Sequence, residues 1–139
     1  MAKVPDSMYR QSGVIPWRRT DDGIQVLLIT SRKKKRWVLP KGVVEPGISP
    51  AASAAKEAME EAGIAGLVED QPLGTYRYQK WGGTCTVEVF AMKVMEEMMT
   101  WPEDSFRSRE WISIAEAKDR VDEAELKAIL ISFSIAINR

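Results

Sequence analysis

Apolar residues fall in short blocks along the chain, cut by turn residues. Residues 12–17 and 24–30 read as two strands, and Asp21-Asp22-Gly23 between them is a hairpin signal. Residues 37–39 form a brief extended piece stopped by Pro40. Residues 75–78 and 84–94 are further strands around the Gly82-Gly83 turn. In the longer one, Val87, Val89 and Ala91 alternate with Glu88, Phe90 and Met92. Apolar side chains therefore point both ways, which predicts a central strand covered on both faces. A last short strand is expected over 109–114. Residues 122–137 follow as a helix with Leu126, Ile129, Leu130 and Phe133 at helical spacing.

The clearest element is a second helix over 49–63. Ser49 is a good cap, Pro50 stands at the tolerated first position, and Gly63 closes it. At about 100° per residue, Glu57, Glu60 and Glu61 share an arc of about 100°, while Ala51, Ala52, Ala55, Ala58, Met59 and Ala62 cover the opposite arc. One face packs and the other presents carboxylates. Strands interleaved with two helices predict an α/β domain with helices on a mixed sheet. No repeat or linker divides residues 1–139, so one domain is expected.

The three acids repel one another and oppose the helix dipole near its C-terminus, so stability alone does not place them there. Lys56 can pair with Glu60 at i+4 but cannot offset all three. A divalent cation can. The alternative is an acidic solvent face. The loop before the helix holds Gly42 and Gly47, and a carbonyl near Gly42 can join the glutamates around an ion.

Composition narrows the chemistry further. The chain has 139 residues, no histidine and a single cysteine, Cys85. Ser-His-Asp and Cys-His catalysis are excluded, and so is a Cys/His zinc site. A bound metal should be a hard ion such as Mg²⁺ or Mn²⁺. One cysteine makes no internal disulfide, no apolar run spans a membrane, and residues 1–10 lack an apolar signal core, so a cytoplasmic protein is expected. Twenty basic against twenty acidic residues argue against nucleic acid or membrane partners held by bulk charge. The charge is unevenly spread, however. Arg32, Lys33, Lys34, Lys35 and Arg36 form a basic run directly before Trp37-Val38-Leu39-Pro40-Lys41-Gly42, and its position beside the acidic helix suggests phosphate binding.

Gly42, Glu57, Ala58, Glu60, Glu61, Gly63 and Ile64 stand at the spacing of the Nudix box, Gly-x5-Glu-x7-Arg-Glu-U-x-Glu-Glu-x-Gly-U with U aliphatic, and the chain resembles the Nudix hydrolase family. The resemblance implies an α/β/α sandwich and a Mg²⁺- or Mn²⁺-dependent hydrolase of phosphoanhydrides. Metal ligands would be Gly42, Glu57, Glu60 and Glu61, with the glutamates as the catalytic set and Arg18, Arg32, Arg36 and Lys41 on the polyphosphate. Arg36-Trp37, Trp101-Pro102-Glu103-Asp104-Ser105 and Arg109-Glu110-Trp111 are similar to the diphosphoinositol polyphosphate phosphohydrolases and dinucleoside polyphosphate hydrolases. A monomer or homodimer acting on such a small molecule is expected. The pattern departs at Ile48 and Lys56, where the family has a glutamate and an arginine that brace the loop on the helix. Their joint change implies loss of that salt bridge and motivates a rival reading, a binding module without turnover. Glu88, Glu103 and Glu110 are further candidate ligands or bases.

Overall fold

The computed structural model describes residues 4–138. After a 3-10 turn over Asp6–Tyr9, the elements run β1 Arg10–Thr20, β2 Gly23–Thr30, β3 Trp37–Val38, β4 Lys41–Val43, α1 Pro50–Ala62 and β5 Ile64–Val68. They continue with β6 Gly74–Lys80, β7 Gly83–Glu97, β8 Arg109–Ser113, α2 Ile114–Arg120 and α3 Ala124–Ile137. All eight strands join one sheet with the path β3-β2-β1-β7-β5, to which β4, β6 and β8 attach through β1, β7 and β2. The sheet is mixed: β1 and β7 run parallel from Arg10↔Thr86 to Trp17↔Lys93, and the other pairs are antiparallel.

The sheet's period of two sorts its apolar residues into two cores. Val14, Leu27, Ile29, Phe90 and Met92 face α1 and meet Ala54, Ala58 and Ala62. Ile15, Val26, Leu28, Val87, Val89 and Ala91 point the other way, against Ala117 of α2 and Leu126, Leu130 and Phe133 of α3. The result is the expected α/β/α sandwich, with β7 covered on both faces.

Several features differ from the sequence reading, among them β1, which extends beyond residues 12–17 at both ends. There are three helices rather than two, because Ser113 accepts a hydrogen bond from the Glu116 amide and starts α2 directly after β8. The final helix begins at Ala124, since Asp122 precedes its cap Glu123. The short strands β4 and β5 also appear, and β7 is longer at both ends than residues 84–94.

Candidate functional site

Helix α1 forms as its sequence dictates. The Ser49 hydroxyl accepts from the Ala52 amide at 3.1 Å, and Gly63 takes the left-handed conformation at φ 67° with its N–H on the Ala58 and Met59 carbonyls. Ser53, Ala54, Ala58 and Ala62 are buried, so small side chains let the helix lie close to the sheet. Ser53 Oγ donates to the Val43 carbonyl and accepts from the Glu45 amide, both at 3.2 Å, tying β4 and its following loop to the helix.

The same closeness sets Gly42 against Glu57. A Cβ at Gly42 would lie 2.3 Å from the Glu57 carboxyl carbon and 2.5 Å from Oε1. A side chain at position 42 would therefore push the Glu57 carboxylate out of this place. Burial, then the charges of Glu61, Glu60 and Glu103, push the Glu57 carboxyl up to about 7. Glu61 is more enclosed. Its Oε1 accepts the Lys41 amide at 3.1 Å, and its Oε2 lies 3.4 Å from the Arg107 guanidinium. Burial raises its carboxyl pKa, while Arg107 and Lys41 oppose the rise. Glu60 is exposed on the same helix.

The bracing salt bridge expected to be lost has instead moved. Lys56 Nζ donates to both carboxylate oxygens of Glu45, at 2.9 and 3.0 Å, and does not take Glu60 as partner. Glu45 lies three residues before Ile48, so the loop remains joined to α1 by a different acid.

A cavity of about 460 Å³ opens beside this face. Arg32, Lys33, Lys34 and Arg36 line it together with Lys41, Lys80 and Arg107, and Glu123 is the one acid among its liners. The Lys41 ammonium sits 4.7 Å above the Tyr78 ring, and burial lowers its pKa against the opposing pull of Glu61. Arg32 lies over the Phe106 ring, and Arg36 is paired with Asp122 at 3.0 Å. Lys41 and Arg107 therefore belong to both surfaces, the cationic cavity and the acidic helix.

The structure brings Arg32, Arg36 and Lys41 together but places Arg18 elsewhere. Arg18 donates twice to Gln25 Oε1 and lies 4.2 Å from the Trp111 ring, outside the cavity lining. Of the additional acids, Glu103 joins the site through Arg107, whose Nε donates to it at 2.6 Å. Glu110 is held by Arg120, and Glu88 lines a separate depression at the start of α1. Arg107 was not among the sequence candidates. Its side chain is only 10% exposed, it also donates to the Thr30 carbonyl at 2.9 Å, and no local pattern marks it.

Among the described residues no three Asp, Glu or Cys side chains already converge as a metal cluster, Glu61 being turned onto Arg107. The donor chemistry nevertheless suits a hard cation. All candidate ligands are oxygens, and Glu57 carries the repulsion of four neighbouring carboxylates, Glu61, Glu60, Glu103 and Glu45. Ser12 Oγ, paired in register with Gly42, is moreover the one buried side-chain polar atom without a partner among the described residues.

The NUDIX domain family profile matches residues 9–131, and the chain belongs to that family. It is 34% identical over 128 residues to Nudix hydrolase 13, mitochondrial, of Arabidopsis thaliana, covering 76% of this chain and 63% of the relative. Identity is 36% over 138 residues with Nudix hydrolase 21, chloroplastic, of Arabidopsis thaliana, covering 94% and 68%. It is 31% over 116 residues with diphosphoinositol polyphosphate phosphohydrolase 3-alpha of Mus musculus, covering 81% and 69%. The chain thus spans just under two thirds of Nudix hydrolases 13 and 12. The crystal structure of C. elegans Ap4A hydrolase shares the fold, with a TM-score of 0.78 at 23% identity over 92% of this chain and 97% of that one. No helix among the described residues is long and apolar enough to cross a membrane.

Proposed function

We propose that this protein hydrolyses a phosphoanhydride bond in a small polyphosphate, using Mg²⁺ or Mn²⁺ held by Glu57, Glu60, Glu61 and the Gly42 carbonyl. The observation that carries the reading is the shared edge, where Lys41 and Arg107 line the cationic cavity and also contact Glu61. A polyphosphate in the cavity then lies next to the carboxylates. When bound, such an ion neutralises phosphate oxygens and acidifies water. The chain supplies the rest. Arg32, Arg36 and Lys41 hold the phosphates, arginine with bidentate geometry, while Arg107, fixed by Glu103, Glu61 and the Thr30 carbonyl, adds its charge at the cavity wall. Glu57 or Glu61 accepts the proton of the attacking water, and Glu57 is the freer of the two because Glu61 is engaged by Lys41 and Arg107. Phosphoryl transfer asks mainly for positioning and charge stabilisation, which a site without histidine can provide.

Arg36 is paired with Asp122 and Arg107 with Glu61 and Glu103, which leaves Arg32, Lys33, Lys34, Lys41 and Lys80 as cavity cations without a salt bridge among the described residues. Five such cations favour a densely phosphorylated substrate of the diphosphoinositol polyphosphate type over a dinucleoside polyphosphate. Of the aromatic liners, Tyr76 is buried and Tyr78 is covered by Lys41, which leaves them poorly placed to stack a base. The binding-module reading drew on Ile48 and Lys56, and the Glu45–Lys56 pair removes much of its motive. The cytoplasm is the proposed setting, where a lone buried thiol at Cys85 stays reduced.

The test is phosphate release with Mg²⁺ on inositol pyrophosphates and diadenosine polyphosphates side by side. Turnover of inositol pyrophosphates ahead of diadenosine polyphosphates is expected. Tight binding of a panel member with no turnover of any would overturn the hydrolase in favour of the binding module.

A further inference from the structure

Helix C-termini leave four carbonyls without intrahelical partners. At the end of α1, four successive carbonyls find donors from one segment, residues 98–109. The Glu103 amide donates to the Glu60 carbonyl at 3.3 Å, and the Trp101 indole N–H donates to the Glu61 carbonyl at 2.9 Å. An Arg109 guanidinium N–H donates to the Ala62 carbonyl at 2.8 Å, and the Met98 amide to the Gly63 carbonyl at 2.8 Å.

The two side chains in this set also support each other. The Arg109 guanidinium lies 3.9 Å from the Trp101 ring centre, donates to the Met98 carbonyl and pairs with Glu97 at 3.4 Å. A Cβ at Gly63 would come within 2.8 Å of both Arg109 and Trp101. Gly63 thus serves the approach of these two side chains as well as its own positive φ. The contacts fall on the turn that carries Glu60 and Glu61, and they set a guanidinium where the helix dipole and the glutamates are both negative.

We propose that Trp101 and Arg109 are positioning residues that lock the last turn of α1, and thereby hold Glu60 and Glu61 in register with Glu57 for the cation. The cation is part of the function proposed above, so this inference rests on that reading. Neither side chain lines the cationic cavity, so their loss should spare substrate affinity and strike the geometry of the glutamates. Misplacement of reacting groups by about an ångström can cost a hundredfold in rate.

The test uses Trp101→Phe, which keeps a smaller aromatic ring for Arg109 and removes the indole N–H, and Arg109→Lys, which keeps the charge and loses the planar fork. Mn²⁺ affinity by calorimetry, amide exchange of residues 60–63, and separate kcat and KM values are measured for each. Trp101→Phe is expected to weaken Mn²⁺ binding and lower kcat by about tenfold, with faster exchange at residues 60–63 and KM within about twofold. Arg109→Lys is expected to do more of the same. Unchanged Mn²⁺ affinity and kcat in both variants, whatever happens to Tm, would overturn the proposal. Should the wild type turn over no substrate yet bind Mn²⁺ with this dependence on Trp101 and Arg109, the hydrolase reading fails and the positioning role stands. A wild type that binds no Mn²⁺ refutes both.

Discussion

The two faces of the sheet are packed on different principles. On one, α3 buries Leu126, Ile129, Leu130 and Phe133, and α2 buries Ile114 and Ala117, against large residues of β1, β2 and β7. On the other, α1 contributes only serine and alanine to its buried face. The first face gains stability from side-chain volume. The second gives up volume for proximity, which brings Glu57 onto Gly42 and the end of α1 within reach of residues 98–109. A domain can concentrate burial on one face and leave the other free to hold repelling charges in fixed places.

Substitutions on the two faces should therefore separate stability from activity. Glu57→Gln should reduce Mg²⁺-dependent hydrolysis by about a thousandfold, comparable to the loss of a key electrostatic group. In the metal-free protein the same change should raise Tm by about 3 °C, roughly 1 kcal/mol once solvent screening of a half-exposed group is allowed for. Phe133→Ala makes the opposite trade. It should cost about 3–5 kcal/mol by chemical denaturation and leave kcat nearly unchanged while the protein is folded.

The pH dependence follows from the same carboxylate. Because the Glu57 pKa is raised from 4.5 to about 7, the folded chain holds more protons than the unfolded one between those values. Stability of the metal-free protein should be greatest below about 4.5 as far as this group is concerned, and fall as pH climbs towards 7. Glu57→Gln should flatten that slope in denaturation curves taken across the window.

A gentler probe is the charge swap at the relocated brace. Lys56→Glu alone should lower kcat by a few fold through a looser loop. Adding Glu45→Lys should restore most of it, because the pair is exposed and worth under about 1 kcal/mol. No rescue would mean that the brace does not position the loop. Ser12→Ala should change Tm by less than a degree or two, since its hydroxyl has no protein partner to lose.

Much of α1 was legible from local chemistry alone. Ser49, Pro50 and Gly63 mark its ends, and the acid spacing marks its exposed face. The two-sided burial of β7 was legible too, from its double alternation. What escaped was either short or distant. The three residues of β4 and the five of β5 are too few to show a period, and α2 reads as a tail of β8 because its cap is the last strand residue. Arg107 and Glu103 reach α1 from more than forty positions away, a contact that only the folded sheet creates. The Glu45–Lys56 pair spans eleven positions across a loop whose path depends on Ser53 holding Val43 and Glu45.

The central claim is that the α1 glutamates and the Gly42 carbonyl together hold a divalent cation beside the basic cavity. Anomalous scattering from Mn²⁺-soaked crystals tests it most directly. The account predicts a strong peak about 2.2 Å from oxygens of these glutamates and the Gly42 carbonyl. A map empty at that place, with the carboxylates splayed towards solvent, would contradict it.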